Sequence, residues 1–228
     1  MYKNIEVITL EEQKNSGVAN IESFTFAKDI RTAPITVNEY YEACKTYPIL
    51  FTKTAENEWF SLALLGLDDR NQFVDKDGVW KKHCYVPAHI QRYPFLFVEN
   101  NNKLLLAFDS ECKVSKDVAG DRYFFEESGE HSNFLKQVIT AMNQAQAFSK
   151  TTKEFIKMID ELGLLEESGI KGQNSEGKEI SMGGFWVIKE DKFNELNPKE
   201  KAKLCKKGYM QPLTAHLISI SNIQKLLD

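Results

Sequence analysis

FVDKDGVW at residues 73–80 and YVPAHIQRYPF at residues 85–95 are the two stretches that decide how this chain of 228 residues folds. The first has an Asp-Gly pair between two apolar pairs, and glycine accepts the positive φ that a tight hairpin turn requires. In the second, Pro87 suits the first turn of a helix because its missing N–H is not needed there. Pro94 disfavours helical backbone at the residue before it, so we predict a sharp helix-to-strand transition at Arg92-Tyr93.

Apolar, β-prone runs on both sides of these stretches predict strands. The runs lie at residues 48–51, 59–65, 95–98, 103–108 and 185–188. A polar connector of hairpin length at residues 54–58 joins the first two runs, and asparagines at residues 100–102 join the next two. The length of its connector predicts that the first pair forms an antiparallel hairpin. The second pair is predicted to do the same because asparagine tolerates left-handed backbone.

Helical signals are concentrated in the centre and the C-terminal part. The apolar spacing over residues 132–162 predicts either one long helix or two shorter ones, and an interruption near Ser149 is favoured. Thr36-Val37-Asn38-Glu39 is a capping-box pattern that starts a short helix. Asn197-Pro198-Lys199-Glu200 starts another helix, which Gly208 can end.

Three further segments belong to neither the strand runs nor the helical signals described above. Residues 10–23 are polar and are expected to form a loop or arm, and residues 168–177 are glycine-rich and polar. Residues 213–220 favour a strand, with a helical His216-Leu217-Ile218 as the alternative.

The resulting fold class is α+β. We expect a mainly antiparallel β-sheet with hairpins in the N-terminal two-thirds, packed by helices from the centre and C-terminal part. Residues 1–23 are expected to supply an N-terminal strand and the polar loop or arm of the same domain. Residues 24–228 are expected to form that single domain, which is long enough to bury a substantial core.

Charge and cysteine spacing narrow the function classes. The formal charge of −4 is spread in mixed runs, so no basic face is expected and nucleic acid is an improbable partner. No stretch of about 18 apolar residues predicts a membrane-spanning segment, and the first residues have no signal-peptide core, so we expect a cytoplasmic protein. The four cysteines are widely separated, which fits reduced thiols better than a disulfide framework.

Arg92 is the residue best suited to recognition. Its planar fork can bind a carboxylate or phosphate, and Tyr85 and Tyr93 supply apolar faces with hydroxyl ends. In the competing interpretation, Arg92 pairs with an internal acid, either Asp75 or Asp109, and the aromatic rings fill the core. The second interpretation is favoured because aromatic residues dominate ordinary core packing.

Reactive side chains near these stretches form no recognisable catalytic or metal-binding pattern. The candidates are His83, Cys84, His89, Asp109, Glu111 and Cys112. Their spacing matches neither a zinc motif nor a nucleophile with its base, and the acids need a defined separation that spacing does not supply. We therefore expect no catalytic residue, no metal site and no cofactor.

The two stretches, together with Pro212-Leu213-Thr214-Ala215-His216-Leu217-Ile218-Ser219, resemble the SapC family of bacterial proteins associated with surface layers. The resemblance extends from about Ala33 to Leu227. It implies a bacterial accessory protein linked to surface-layer or outer-envelope systems, and it carries no assigned active site.

Two function classes follow from the resemblance and the residues together. The preferred one is a non-catalytic accessory or adaptor that binds a protein partner of an envelope or secretion system, with Arg92, Tyr93, Tyr85, Asp109 and His89 as candidate binding residues. The alternative is a small-molecule-binding protein or enzyme whose pocket is formed by Arg92, Tyr85, Asp109 and a histidine. A surface-layer structural component is a weaker alternative.

Overall fold

The computed structural model describes residues 1–101, 103–173 and 177–227. Over these residues the strands are β1 (Ile5–Val7), β2 (Ser16–Val18), β3 (Thr32–Ile35), β4 (Ile49–Lys53), β5 (Trp59–Leu64), β6 (Phe95–Asn100), β7 (Lys103–Asp109), β8 (Lys113–Ser115), β9 (Leu165–Gln173) and β10 (Glu179–Ile188). The helices are α1 (Leu10–Gln13), α2 (Tyr40–Ala43), α3 (Ala88–Gln91), α4 (Lys116–Ala119), α5 (Asn133–Glu161), α6 (Glu190–Glu195), α7 (Pro198–Lys206), α8 (Met210–Ser219) and α9 (Asn222–Leu227). None of these described helices is long and apolar enough to cross a membrane. The α+β class with antiparallel hairpins is confirmed.

The chain divides into two compact units. The first unit consists of Met1–Phe24 and Ile90–Ala147, and the second consists of Thr25–His89 and Phe148–Asp228. Helix α5 contributes its first part to the first unit and its second part to the second unit. That residues 24–228 fold as a single domain stays a prediction.

In the first unit, a three-stranded antiparallel sheet with the order β1-β7-β6 carries an aromatic core. The predicted hairpin of β6 and β7 is confirmed, and Asn101 has the expected left-handed φ of 49°, whereas Asn102 lies outside the described residues. The core side chains are Val18, Phe95, Phe108, Phe124, Phe125, Leu135 and Met142. The rings of Phe108 and Phe124 meet edge to face with their centroids 5.0 Å apart, a favourable aromatic geometry.

The prediction of a loop over residues 10–23 was wrong for most of this segment. Helix α1 begins after Thr9, whose backbone N–H donates to the buried Gln13 side chain at 2.8 Å. Strand β2 then pairs with β8. A Cβ at Gly17 would lie only 2.5 Å from the carbonyl oxygen of Arg122, so this glycine permits a close approach of two backbones and makes no flexible turn.

In the second unit, a five-stranded antiparallel sheet has the order β3-β5-β4-β10-β9. The predicted hairpin of β4 and β5 is confirmed by a ladder of five residue pairs. Asp75 and Val79 close the predicted turn through an N–H···O bond of 3.1 Å, and Gly78 has a φ of 81°. The glycine-rich and polar segment at residues 168–177 belongs to β9 through Gln173, because it pairs with β10. Residues 174–176 lie outside the described residues.

Aromatic packing joins the helices of the second unit to this sheet. Phe155 of α5 contacts the rings of Tyr40, Phe51 and Tyr209, with centroids 5.2–6.4 Å apart. The interruption predicted near Ser149 was wrong, since α5 is continuous. Thr152 lies within this continuous helix. Its hydroxyl donates to the carbonyl of Phe148 in the preceding turn and accepts from the N–H of Val37.

The closing segment is helical, so the preferred strand over residues 213–220 was wrong and the alternative was right. Buried residues of α8 recur at helical spacing, with Leu213, His216 and Ser219 three residues apart. The helix predicted from Asn197 is confirmed as α7, including the capping box with Glu200.

Helix α8 fills a seam between β4 and β10. These strands pair only at Phe51 and Trp186, and the same register places Ile49 opposite Ile188. Instead of bonding each other, the N–H of Ile49 donates to Ser219 Oγ at 3.0 Å and the N–H of Ile188 donates to His216 Nε2 at 2.9 Å. Two buried backbone donors, which would otherwise be costly, are thereby satisfied by one helix.

We predict that acidification destabilises the second unit through His216. Burial lowers the pKa of His216 to about 3 in the folded chain, against an ordinary value of 6.5. As the pH falls below about 6.5, the unfolded chain takes up a proton that the folded chain does not bind. The free energy of unfolding should therefore decrease by up to about 1.4 kcal/mol per pH unit. Urea unfolding between about pH 7 and 5 measures this slope, above the main titration range of carboxylates.

Two variants test the assignment. His216→Gln keeps an acceptor for the N–H of Ile188 but does not titrate, so it should remove this contribution to the slope. His83 is exposed and has a φ of 62°, which asparagine tolerates, so His83→Asn is the control and should keep the wild-type slope. A wild-type slope in His216→Gln would contradict the assignment.

Candidate functional site

Asp109 is the centre of the predicted site in the first unit, and its carboxylate is fully buried. Oδ2 accepts from the backbone N–H of Lys3 at 2.9 Å and from the Tyr93 hydroxyl at 3.0 Å. Oδ1 accepts from the backbone N–H groups of Asn4 and Glu111, both at 3.2 Å. Burial raises the pKa of Asp109, but these hydrogen bonds outweigh that effect and hold the pKa below its ordinary value. The side chain therefore stays ionised.

Tyr93 and Cys112 lie beside this carboxylate. The Cys112 thiol donates to the Tyr93 hydroxyl at 3.5 Å. Burial is the main cause that raises the pKa of Cys112, and burial together with Cys112 and Asp109 raises the pKa of Tyr93. Both groups are therefore protonated near neutral pH, and a protonated thiol is a poor nucleophile.

Arg92 lies at the predicted transition from α3 to β6, which is confirmed, and the Tyr93-Pro94 peptide bond is cis. The expected pairing of Arg92 with Asp109 is not found: within the described residues Arg92 forms no salt bridge, and its buried Nε has no hydrogen-bond partner. Its guanidinium instead lies beside the Tyr2 phenol. Burial raises the pKa of Tyr2, and the nearby Arg92 offsets part of this increase. The rings of Tyr2 and Tyr93 are 5.6 Å apart.

Tyr85 belongs to the second unit, where it is bound to a different acid. The carboxylate of Glu39, which is 8% exposed, accepts from the Tyr85 hydroxyl at 3.0 Å and from the backbone N–H of Ala88 at 2.8 Å. Its other oxygen completes the predicted capping box by accepting from the backbone N–H of Thr36 at 2.8 Å. Burial first, and Glu39 second, raise the pKa of Tyr85.

The remaining candidates have no common site in either unit. Asp75 is used within its own turn, where it accepts from the N–H groups of Asp77 and Val79. His83 is exposed and His89 is half-buried, both in the second unit. Within the described ranges, no group of three or more His, Cys, Asp or Glu side chains is placed to hold a metal ion.

The structure therefore brings Arg92, Tyr93 and Asp109 into one cluster in the first unit. Tyr85 and His89 lie in the second unit. The sequence analysis missed the N-terminal contribution, namely the Tyr2 ring and the backbone N–H groups of Lys3 and Asn4. No local signal identifies it, because the two N–H contacts join residues more than 100 positions apart and the Tyr2 ring meets Tyr93, 91 positions away.

The cluster is chemically suited to recognition. Asp109 has a lowered pKa and is a weak base, and its oxygens are occupied. The thiol and phenol that touch it have raised pKa values and are weak nucleophiles. Arg92 retains donors, so the chemistry that the cluster offers is the binding of an anionic group.

The comparisons with known proteins give one match. A family model described as SapC matches residues 9–226, which include both stretches at residues 73–95. No curated protein and no solved structure matches the chain.

We predict that Asp109→Asn loosens β1. Asparagine replaces one acceptor oxygen by an amide group that cannot accept, so at least two of the carboxylate's hydrogen bonds are lost. The expected destabilisation is about 3 kcal/mol or more. Hydrogen exchange should be faster at the amides of Lys3 and Asn4. Glu111→Gln, which removes only an exposed ion pair with Lys3, is the control and should leave these amides protected; equal protection in both variants would contradict the role of Asp109.

We predict that Tyr85→Phe destabilises the second unit by about 1.5–3 kcal/mol, because a hydrogen bond to a buried carboxylate is lost. Tyr41→Phe is the matched control, since this ring is 58% exposed. Urea unfolding monitored by circular dichroism measures both variants. Equal stability of the two would show that the Tyr85 hydroxyl does not support the fold.

Proposed function

The chain belongs to the SapC family, and we propose that it is a non-catalytic bacterial accessory or adaptor protein. In this proposal its partner is a protein of surface-layer or outer-envelope biogenesis, such as a secretion component or an export substrate before translocation. The proposed binding surface consists of Arg92, Tyr93 and Tyr2, which we call the arginine surface.

One observation carries this proposal, namely the contrast between Arg92 and the acid near it. The carboxylate of Asp109 already accepts four hydrogen bonds. Arg92, which is partly exposed, forms no salt bridge within the described chain and has a buried Nε without a hydrogen-bond partner. Arg92 therefore has no carboxylate partner within the described chain, and its partly exposed side chain can bind an incoming carboxylate.

The composition of the arginine surface supports a protein partner. Arginine and tyrosine are the residue types that most often dominate binding energy at protein interfaces. The Tyr2 ring lies beside the guanidinium and 5.6 Å from the Tyr93 ring, and both tyrosines are partly exposed, so they can add apolar contact area. A partner with an acidic side chain or a terminal carboxylate next to an apolar residue fits this surface.

The same proposal places the protein in the cytoplasm. Cys44, Cys84, Cys112 and Cys205 are all free thiols. Reduced cysteines of this kind are typical of cytosolic proteins. An adaptor that binds an export substrate before translocation would act in this compartment, and fractionation of the native bacterium tests the location.

The alternative, a ligand pocket or active site that uses Asp109, has less support. A ligand would have to displace backbone N–H groups from a carboxylate that also holds β1 in place. Displacing them would leave buried donors unsatisfied.

Affinity capture from native bacterial extract is the experiment that tests the proposal. Wild-type protein is compared with Arg92→Ala, and with Arg92→Lys, which keeps the charge but loses the planar fork. Arg70→Ala, at an exposed arginine of the second unit, is the matched control. An arginine at the centre of an interface contributes about 2 kcal/mol or more, so Arg92→Ala should reduce partner recovery about thirtyfold.

Folding controls accompany the capture. All variants must show the wild-type unfolding midpoint, so that a loss of binding is not a loss of structure. Equal recovery of every partner by wild type and Arg92→Ala would reject the arginine surface. A metabolite that copurifies and is lost in Arg92→Ala, without any protein partner, would favour the small-molecule alternative.

A further inference from the structure

Strand β6 is the outer strand of the three-stranded sheet in the first unit, and within the described residues β7 is its only strand neighbour. The N–H of Asp109 donates to the carbonyl of Pro94 at 2.9 Å, so these two residues, one step before the ladder of β6 and β7, form a hydrogen-bonded pair. Because bonded and non-bonded pairs alternate along an antiparallel ladder, every second residue of β6 directs its N–H and C=O away from β7. These residues are Phe95, Phe97 and Glu99.

Two further hydrogen bonds agree with this alternation. The Tyr2 hydroxyl donates to the carbonyl of Phe95 at 2.9 Å, which fits a carbonyl turned away from β7. The N–H of Ile8 donates to the carbonyl of Leu106 at 2.9 Å, so this carbonyl faces the β1 side of the sheet. Leu106 lies opposite Phe97, and these two residues are therefore a non-bonded pair.

The backbone groups of Phe97 and Glu99 form an open edge. Among the described residues, none bonds to the outward N–H or C=O of either one. An unpaired row of this kind is a template for a further strand, and proteins commonly protect it with charges, proline or a bulge. Leu96, Phe97 and Val98 are uncharged and half-buried, and the register of β6 with β7 is regular. The middle of β6 therefore has none of these protections.

Arg92 lies at the beginning of this open edge. Its guanidinium is beside the Tyr2 phenol, and the hydroxyl of the same phenol bonds the outward carbonyl of Phe95. Glu99, which is exposed, places a negative charge toward the opposite end of the strand. A segment with a free C-terminal carboxylate is therefore attracted in one direction only. Because Arg92 precedes β6, that direction is antiparallel to β6.

We propose that the partner binds as an extended C-terminal segment, which pairs antiparallel with the open edge of β6 and places its terminal carboxylate on Arg92. The inference rests on the proposed adaptor function, because it assigns the partner's binding segment to the same arginine surface. Backbone hydrogen bonds supply affinity that depends little on the partner's side chains. The guanidinium fixes the register by binding the carboxylate.

Hydrogen exchange with a selected peptide tests the pairing. The probe comes from a library of random peptides with free C-termini and the length of β6, six residues, selected on wild-type protein and then synthesised with an acetylated N-terminus. In the free protein, the amides of Phe97 and Glu99 should exchange about tenfold or more faster than those of Leu96 and Val98. Saturation with the peptide should slow Phe97 and Glu99 by about tenfold or more.

Variants of one exposed residue separate the backbone from the charge. Glu99→Pro removes an outward N–H and leaves the β7 ladder intact, a position where edge strands accept proline. Glu99→Thr loses the same charge but keeps the donor. The proline variant should bind the peptide about tenfold more weakly than the threonine variant, and an amidated peptide should bind wild type about tenfold more weakly than the free acid. The unfolding midpoint is measured for both variants.

Four results would overturn the proposal. They are the absence of any selected peptide, equal affinity of the free and amidated ends, equal binding by the two folded Glu99 variants, and unchanged exchange at Phe97 and Glu99. A peptide that needs Arg92 but protects neither amide would reject strand pairing alone, whereas equal partner recovery by Arg92→Ala would reject the adaptor surface as well. Protection of both amides without peptide, together with a dimer in sedimentation equilibrium, would assign the edge to a second copy of this chain and also overturn the proposal.

Discussion

A buried carboxylate must find its hydrogen bonds inside the protein, and this constraint organises both units. In the second unit, Glu39 closes a capping box and also binds the Tyr85 hydroxyl and the N–H of Ala88. In the first unit, Asp109 joins the N-terminal residues to Tyr93 and to its own turn. Removing either carboxylate would leave several partly buried donors without their acceptor, which would destabilise the fold.

The seam between β4 and β10 shows how a helix can complete a sheet. Where the ladder between these strands ends, His216 and Ser219 accept the two backbone N–H groups that point into the seam. Strand β10 has a bulge between Met182 and Phe185, where the Thr52 hydroxyl of β4 donates to the carbonyl of Gly184 at 3.3 Å.

The residues predicted to form the site therefore have two kinds of role. Tyr85, Tyr93 and Asp109 direct their polar groups inward and support the fold. Arg92 is partly exposed and forms no salt bridge within the described chain, which suits a recognition residue.

Sequence alone determined the features that depend on neighbours in the chain. The hairpins, the capping boxes at Glu39 and Glu200 and the transition at Arg92-Tyr93 are local, because turn chemistry and proline restrict the backbone wherever they occur. The prediction of a loop over residues 10–23 failed at β2, because a strand partner stabilises backbone that has little strand propensity of its own.

Only the tertiary structure decided which acid each tyrosine binds, which residues surround Arg92 and which helix completes the sheet. These contacts join positions far apart in the chain, such as Lys3 with Asp109 and Ile188 with His216. Local propensity contains no information about such pairs. Their formation depends on the packing that brings the elements together, and on the energetic cost of leaving a buried donor without an acceptor.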